Sequence, residues 1–191
     1  MKPFRQGDLD STCGLYALVN SIRLAAEPFS HFSRADCWQL YHSLVNVCDH
    51  HFLGGFALVM SEGMGIRQIK TLLRHADFWL ISNKQLTLTW SKPYTSRQKP
   101  DPQEYRCLLQ DHLERGGSAI LGIGWWEEHW TVLHKLTDKS IMLADSGELH
   151  RLSWASLPGF ESEKTSPKQI DPTSTFLIEV GQKSPSGWNS P

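Results

Sequence analysis

A cysteine stands where a polar loop runs into an apolar helix. Gln6-Gly7-Asp8-Leu9-Asp10-Ser11-Thr12 leads into Cys13-Gly14-Leu15-Tyr16-Ala17-Leu18-Val19-Asn20. A thiol at a helix start meets unpaired N–H groups and the positive end of the helix dipole, and both favour the thiolate. Thiolate is the nucleophilic form. Gln6, seven positions earlier, carries an amide that can donate to a developing oxyanion. The same position also suits a small buried cysteine opening a core helix. The thiol therefore needs partners elsewhere in the chain.

A nucleophile of this kind requires a base and a group that orients the base. His129 is the best base: it follows the turn-like Trp125-Trp126-Glu127-Glu128 and opens the strand His129-Trp130-Thr131-Val132-Leu133. Asp145 is the best orienter, ending the run Ile141-Met142-Leu143-Ala144 ahead of the turn Ser146-Gly147. Two strands joined at Thr137-Asp138-Lys139 make an antiparallel hairpin, which sets the start of the first beside the end of the second. Hairpin geometry thus predicts a His129–Asp145 contact, against the plain alternative of a core histidine near a turn aspartate.

In its order of Gln6, then Cys13-Gly14-Leu15-Tyr16-Ala17, then His129-Trp130-Thr131-Val132-Leu133, then Ala144-Asp145-Ser146-Gly147, the chain resembles the papain-like cysteine peptidase superfamily. It looks most like small bacterial members, such as the peptidase domains that trim leader peptides ahead of bacteriocin export. The local Cys-Gly-Ser-Cys-Trp form of papain itself is absent. The resemblance implies Cys13 as nucleophile, His129 as base then acid, Asp145 as orienter, and Gln6 with the Cys13 backbone N–H as oxyanion hole. It implies a thiol hydrolase without a cofactor, a peptidase acting on a protein or peptide. The same residues would serve a deamidase or transglutaminase-like enzyme, or persist in a non-catalytic binding module.

The elements that must position these groups follow the hydrophobic period. Leu15, Leu18, Val19 and Ile22 predict a helix from Cys13 to about Ala26, stopped by Glu27-Pro28. Ser33-Arg34-Ala35-Asp36 reads as a capping box opening a second helix to about Cys48, with Trp38, Tyr41, Leu44 and Val45 on one face. Ile66 to His75 reads as a short amphipathic helix, and Phe78 to Ile81 and Leu86 to Trp90 as strands. Asp101-Pro102 caps a helix to Arg115, closed by Gly116-Gly117. Ser118–Trp125, His129–Leu136, Ser140–Ala144, His150–Ser153 and Thr175–Val180 read as strands. Helices in front and strands behind predict an α+β domain over 1–180, the helical half packed on an antiparallel sheet with the active-site cleft between, and a loose tail over 181–191.

Composition bounds the rest. The 191 residues are 40% hydrophobic and 20% charged with net charge −1, so neither a nucleic-acid partner nor an anionic membrane surface is expected. No signal peptide or membrane span is read, and four sparse cysteines read as reduced thiols, which together predict a cytoplasmic protein, export by a signal-less route looking the same. Cys48-Asp49-His50-His51 lacks the second ligand pair of a zinc site and reads as a helix end with histidines on its dipole, so no metal is expected. Glu127-Glu128 reads as a solvated turn, Gly63-Met64-Gly65 as a turn before a helix, and His134 and His150 as weaker bases than His129.

Overall fold

The computed structural model describes residue 3 and residues 11–95, 98, 100–124, 129–147, 149–157 and 169–183. Among the described residues, five α-helices, α1 Cys13–Ala26, α2 Arg34–His51, α3 Gly55–Glu62, α4 Ile66–Lys84 and α5 Pro102–Glu114, accompany six strands. The strands are β1 Leu86–Ser91, β2 Ser118–Ile123, β3 His129–Leu136, β4 Ser140–Leu143, β5 Arg151–Ser153 and β6 Ile170–Gln182. They form one antiparallel sheet in the order β1-β6-β2-β3-β4-β5. The fold is α+β, as the order of elements predicts. Among the described residues no helix is long and apolar enough to cross a membrane.

The sheet divides the apolar side chains by strand alternation. Ile120, Trp130, Val132, Phe176 and Ile178 belong to a core shared with α1, α2 and α4. Ala119, Leu121, Leu133, Leu143 and Leu177 belong to a second core with Tyr105 and Leu109 of α5. α1 packs against both the sheet and α2. Its residues are buried nearly all round, including Leu15, Leu18, Val19 and Ile22 at full burial. A helix so enclosed holds its first residue rigidly, and that residue is Cys13.

Local signals account for two helix starts. The Ser33 side chain accepts from Asp36 N while Asp36 Oδ2 accepts from Ser33 N at 2.8 Å, closing the capping box of α2. Asp101 Oδ1 accepts from Gln103 N and Glu104 N ahead of Pro102 in α5. The expected strand at Phe78-Trp79-Leu80-Ile81 is instead the end of α4. Ile69, Leu72, Leu73, Ala76 and Leu80 continue one buried helical stripe, which outweighs the strand preference of the aromatic run; Phe78 falls off the stripe and is 66% exposed. Trp38, expected inward, is exposed on α2, where Cys37, Leu40, Tyr41, Leu44, Val47 and Cys48 make the buried face.

β6 begins earlier than expected and bulges. Leu121 pairs with Thr175 but Gly122 pairs with Asp171, so residues 172–174 loop out of the ladder. Asp171 folds the bulge by accepting from Thr173 N, Thr173 Oγ1 and Ser174 Oγ. Gly122 makes room: a Cβ there would stand 2.6 Å from Ser174 Cβ. β6 also takes Gly181 and Gln182 into the sheet opposite Thr87 and Leu86, and the expected tail from 184 onward lies outside the described residues.

Candidate active site

Cys13 is the first residue of α1, with Thr12 at the N-cap making no side-chain cap bond. The sulfur thus sits at the first turn, where the helix dipole is positive. Trp130 N donates to Cys13 Sγ at 3.4 Å, so the start of β3 lies directly against the start of α1. Gly14 permits that approach. A Cβ at position 14 would stand 2.5 Å from Met64 Cε, 3.0 Å from Ile69 Cδ1 and 3.3 Å from Trp130 Cδ1. Trp130 is tied from its other end as well, its Nε1–H donating to Met64 O at 2.6 Å. The strand reading of His129–Leu136 does not foresee this tie, since no local pattern signals a bond across 66 positions.

β3 turns into β4 through Thr137–Lys139, with Thr137 N donating to Ser140 O. Leu133 pairs with Leu143, and Ala144 N donates to Val132 O, which carries the ladder toward the site. His129 and Asp145 meet as the hairpin requires: His129 Nε2 lies 2.7 Å from Asp145 Oδ1. Asp145 is 1% exposed, and its Oδ2 accepts from Gly147 N at 2.9 Å and Leu149 N at 3.3 Å.

Electrostatics sharpen the arrangement. Burial works against a charge on His129, yet hydrogen bonds to Asp145 and Cys13, and the negative charges of both, push its pKa up to about 10. Burial also opposes the Asp145 carboxylate, but the His129 bond, the Thr131 hydroxyl, the His129 charge and the Gly147 N–H together hold its pKa below the ordinary value. An ionised carboxylate only accepts, so Nε2 carries a hydrogen and Nδ1 is the ring nitrogen left for Cys13. The structure thus brings Cys13, His129 and Asp145 into one contact chain. Gln6, together with Trp125, Trp126, Glu127 and Glu128, lies outside the described residues.

Beside His129 opens a cleft of about 380 Å³, between the first turn of α4 and the ends of β2 and β6. Ile66, Arg67 and Gln68 form one wall, with Gly122, Asp171 and Ser174 of the bulge opposite. The cleft lies between helical half and sheet, where the α+β reading puts it.

The rival sites resolve into structure. Cys48 is fully buried, and burial with the Asp49 charge pushes its thiol up to about 12. His50 Nδ1 lies 2.7 Å from Asn46 O at the end of α2. No group of three metal-ligating side chains occurs among the described residues. His134 is exposed on β3.

In fold the chain is similar to a solved structure, the peptidase domain of Streptococcus ComA, a bifunctional ABC transporter involved in a quorum-sensing pathway. It superposes with a TM-score of 0.50 at 14% identity, over 95% of this chain and 98% of that one. No protein-family model and no curated protein matches the chain.

Proposed function

We propose that this chain is a cysteine-dependent hydrolase, a peptidase that cleaves a protein or peptide through a thioester. Cys13 is the nucleophile, His129 the base and then the acid, and Asp145 the orienter; Gln6 and the Cys13 backbone N–H receive the oxyanion. The observation that carries the reading is the position of His129, bonded to buried Asp145 through Nε2 with Nδ1 left for Cys13. A raised imidazole pKa keeps the proton on His129 at neutral pH, beside Cys13.

The chemistry follows from that pair. Cys13 sulfur attacks the substrate carbonyl carbon, forming a C–S bond. The tetrahedral oxyanion collapses, the C–N bond breaks, and His129 gives its proton to the departing amine. Water then attacks the thioester while His129 takes its proton, and the C–S bond breaks to restore the thiolate. The cleft lined by Arg67, Gln68 and Asp171 adjoins His129 and is large enough for a few substrate residues. Four free thiols suit a reducing, cytosolic compartment.

The test is incubation of the chain with a proteome-derived peptide pool, read by mass spectrometry. Fragments that appear with wild type and vanish with Cys13→Ala are expected. Equal fragments from Cys13→Ala overturn the nucleophile. Intact peptides gaining about 1 Da, or an amine adduct, overturn peptide cleavage in favour of deamidation or transamidation.

A further inference from the structure

We propose that Thr131 is a positioning residue of this site, its hydroxyl donating to the ionised Asp145 carboxylate and holding it in place for His129. The inference rests on the reading of Cys13, His129 and Asp145 given above. Its ground is the register of the hairpin. Leu133 pairs with Leu143 and Ala144 N donates to Val132 O, so two residues further along the ladder Thr131 stands opposite Asp145. Directly opposed residues in such a pair have Cβ atoms about 4.5–5.5 Å apart. Thr131 also shares a strand face with His129, two positions before it.

Thr131 is 1% exposed, and its Oγ1 is a buried side-chain oxygen that lacks a hydrogen-bond partner within strict geometry among the described residues. Such an orphan is costly and calls for an explanation. Asp145 supplies the complementary need. Its carboxylate is equally buried, and it accepts from His129 on Oδ1 and from two backbone N–H groups on Oδ2. A carboxylate has about four acceptor positions, so one remains for a further donor. The hydroxyl already acts across the gap, being among the groups that hold Asp145 below the ordinary carboxylate range. With Oδ2 fixed by the backbone after the turn and Oδ1 shared between His129 and Thr131, the carboxylate plane cannot swing away from the imidazole.

The experiment follows the Asp145 carboxyl carbon by NMR through an acid titration of the full chain. Thr131→Val keeps the shape and removes the donor; Thr131→Ser keeps the donor and loses a methyl. The midpoint is expected to rise by about one pH unit in Thr131→Val and to stay near the native value in Thr131→Ser. A packing role predicts the reverse order, with Ser the more damaged in a thermal melt and neither midpoint moved. A native midpoint in Thr131→Val overturns the proposal, as does an equal rise in both variants. Should Val fail to fold, Thr131→Ala compared with Thr131→Ser makes the same distinction. The readout is the carboxyl group itself, so an inert Cys13 sinks the proposed hydrolase while leaving this titration to decide on its own.

Discussion

Asp145→Asn is the substitution that asks most of the site. Both carboxylate oxygens accept: Oδ1 from His129 Nε2, and Oδ2 from Gly147 N and Leu149 N. An asparagine has one acceptor oxygen, so its NH₂ must face a donor whichever way it turns. Facing the backbone N–H groups, it leaves two buried donors without acceptors. Facing His129, it forces Nε2 to accept, and the ring proton moves to Nδ1, toward Cys13. The imidazole in that tautomer cannot take a proton from the thiol. The loss of charge also removes the Asp145 share of what raises the His129 pKa to about 10, while the Cys13 share, and burial, which lowers it, remain. The midpoint should fall toward about 6.5, the ordinary histidine value. The imidazolium fraction at pH 7.5 falls with it from nearly all molecules.

Long-range ¹H–¹⁵N spectra of histidine-labelled chain read both the midpoint and the tautomer, with the His129 resonance identified by its loss in His129→Gln. Wild type should titrate near the raised value, and Asp145→Asn should titrate well below it, its neutral form carrying the proton on Nδ1. A His129 midpoint unmoved by the substitution, or a wild-type midpoint near 6.5, refutes the reasoning. Stability carries the same signature. His129 is raised on folding, so its contribution is whole below about 6.5 and fades as pH climbs through about 10. Asp145 is lowered, so its contribution is whole above about 3.9 and fades as pH falls through its native value. The Tm difference between wild type and Asp145→Asn should be widest between about pH 4 and 6.5 and should close toward pH 10.

Iodoacetamide at pH 7.5 should label Cys13 and exposed Cys107 in the native chain and spare Cys37 and Cys48, whose thiols burial pushes up. Peptide mapping reads the order, and labelling of Cys48 ahead of Cys13 contradicts it. Gly14→Ala should destabilise the fold by about 1–3 kcal/mol in urea melts, since its methyl meets Met64, Ile69 and Trp130. An unchanged midpoint shows that the Met64 methyl yields without cost.

Much of the site was legible because hairpins convert spacing into contact. His129 and Asp145, sixteen positions apart around a three-residue turn, had to meet once β3 and β4 were read as strands. The same register sets Thr131 against Asp145, and that pairing went unread because a threonine in a strand looks like any β-former. The strand reading of Phe78 to Ile81 failed for a related reason: a four-residue apolar run fits either period, and the stripe that decides it begins at Ile69.

Taken alone, the sequence determined the helix that opens at Cys13, the caps at Ser33 and Asp101, and the hairpin that joins His129 to Asp145. Each is a matter of neighbours within some twenty positions, where backbone geometry leaves few choices. Tertiary structure alone decided that β6 enters between β1 and β2, that its bulge lines the cleft, and that Trp130 reaches Met64 to seat β3 on Cys13. Those contacts join segments from 47 to 117 positions apart, and packing of α1 against the sheet selects them, since no local pattern carries the distance.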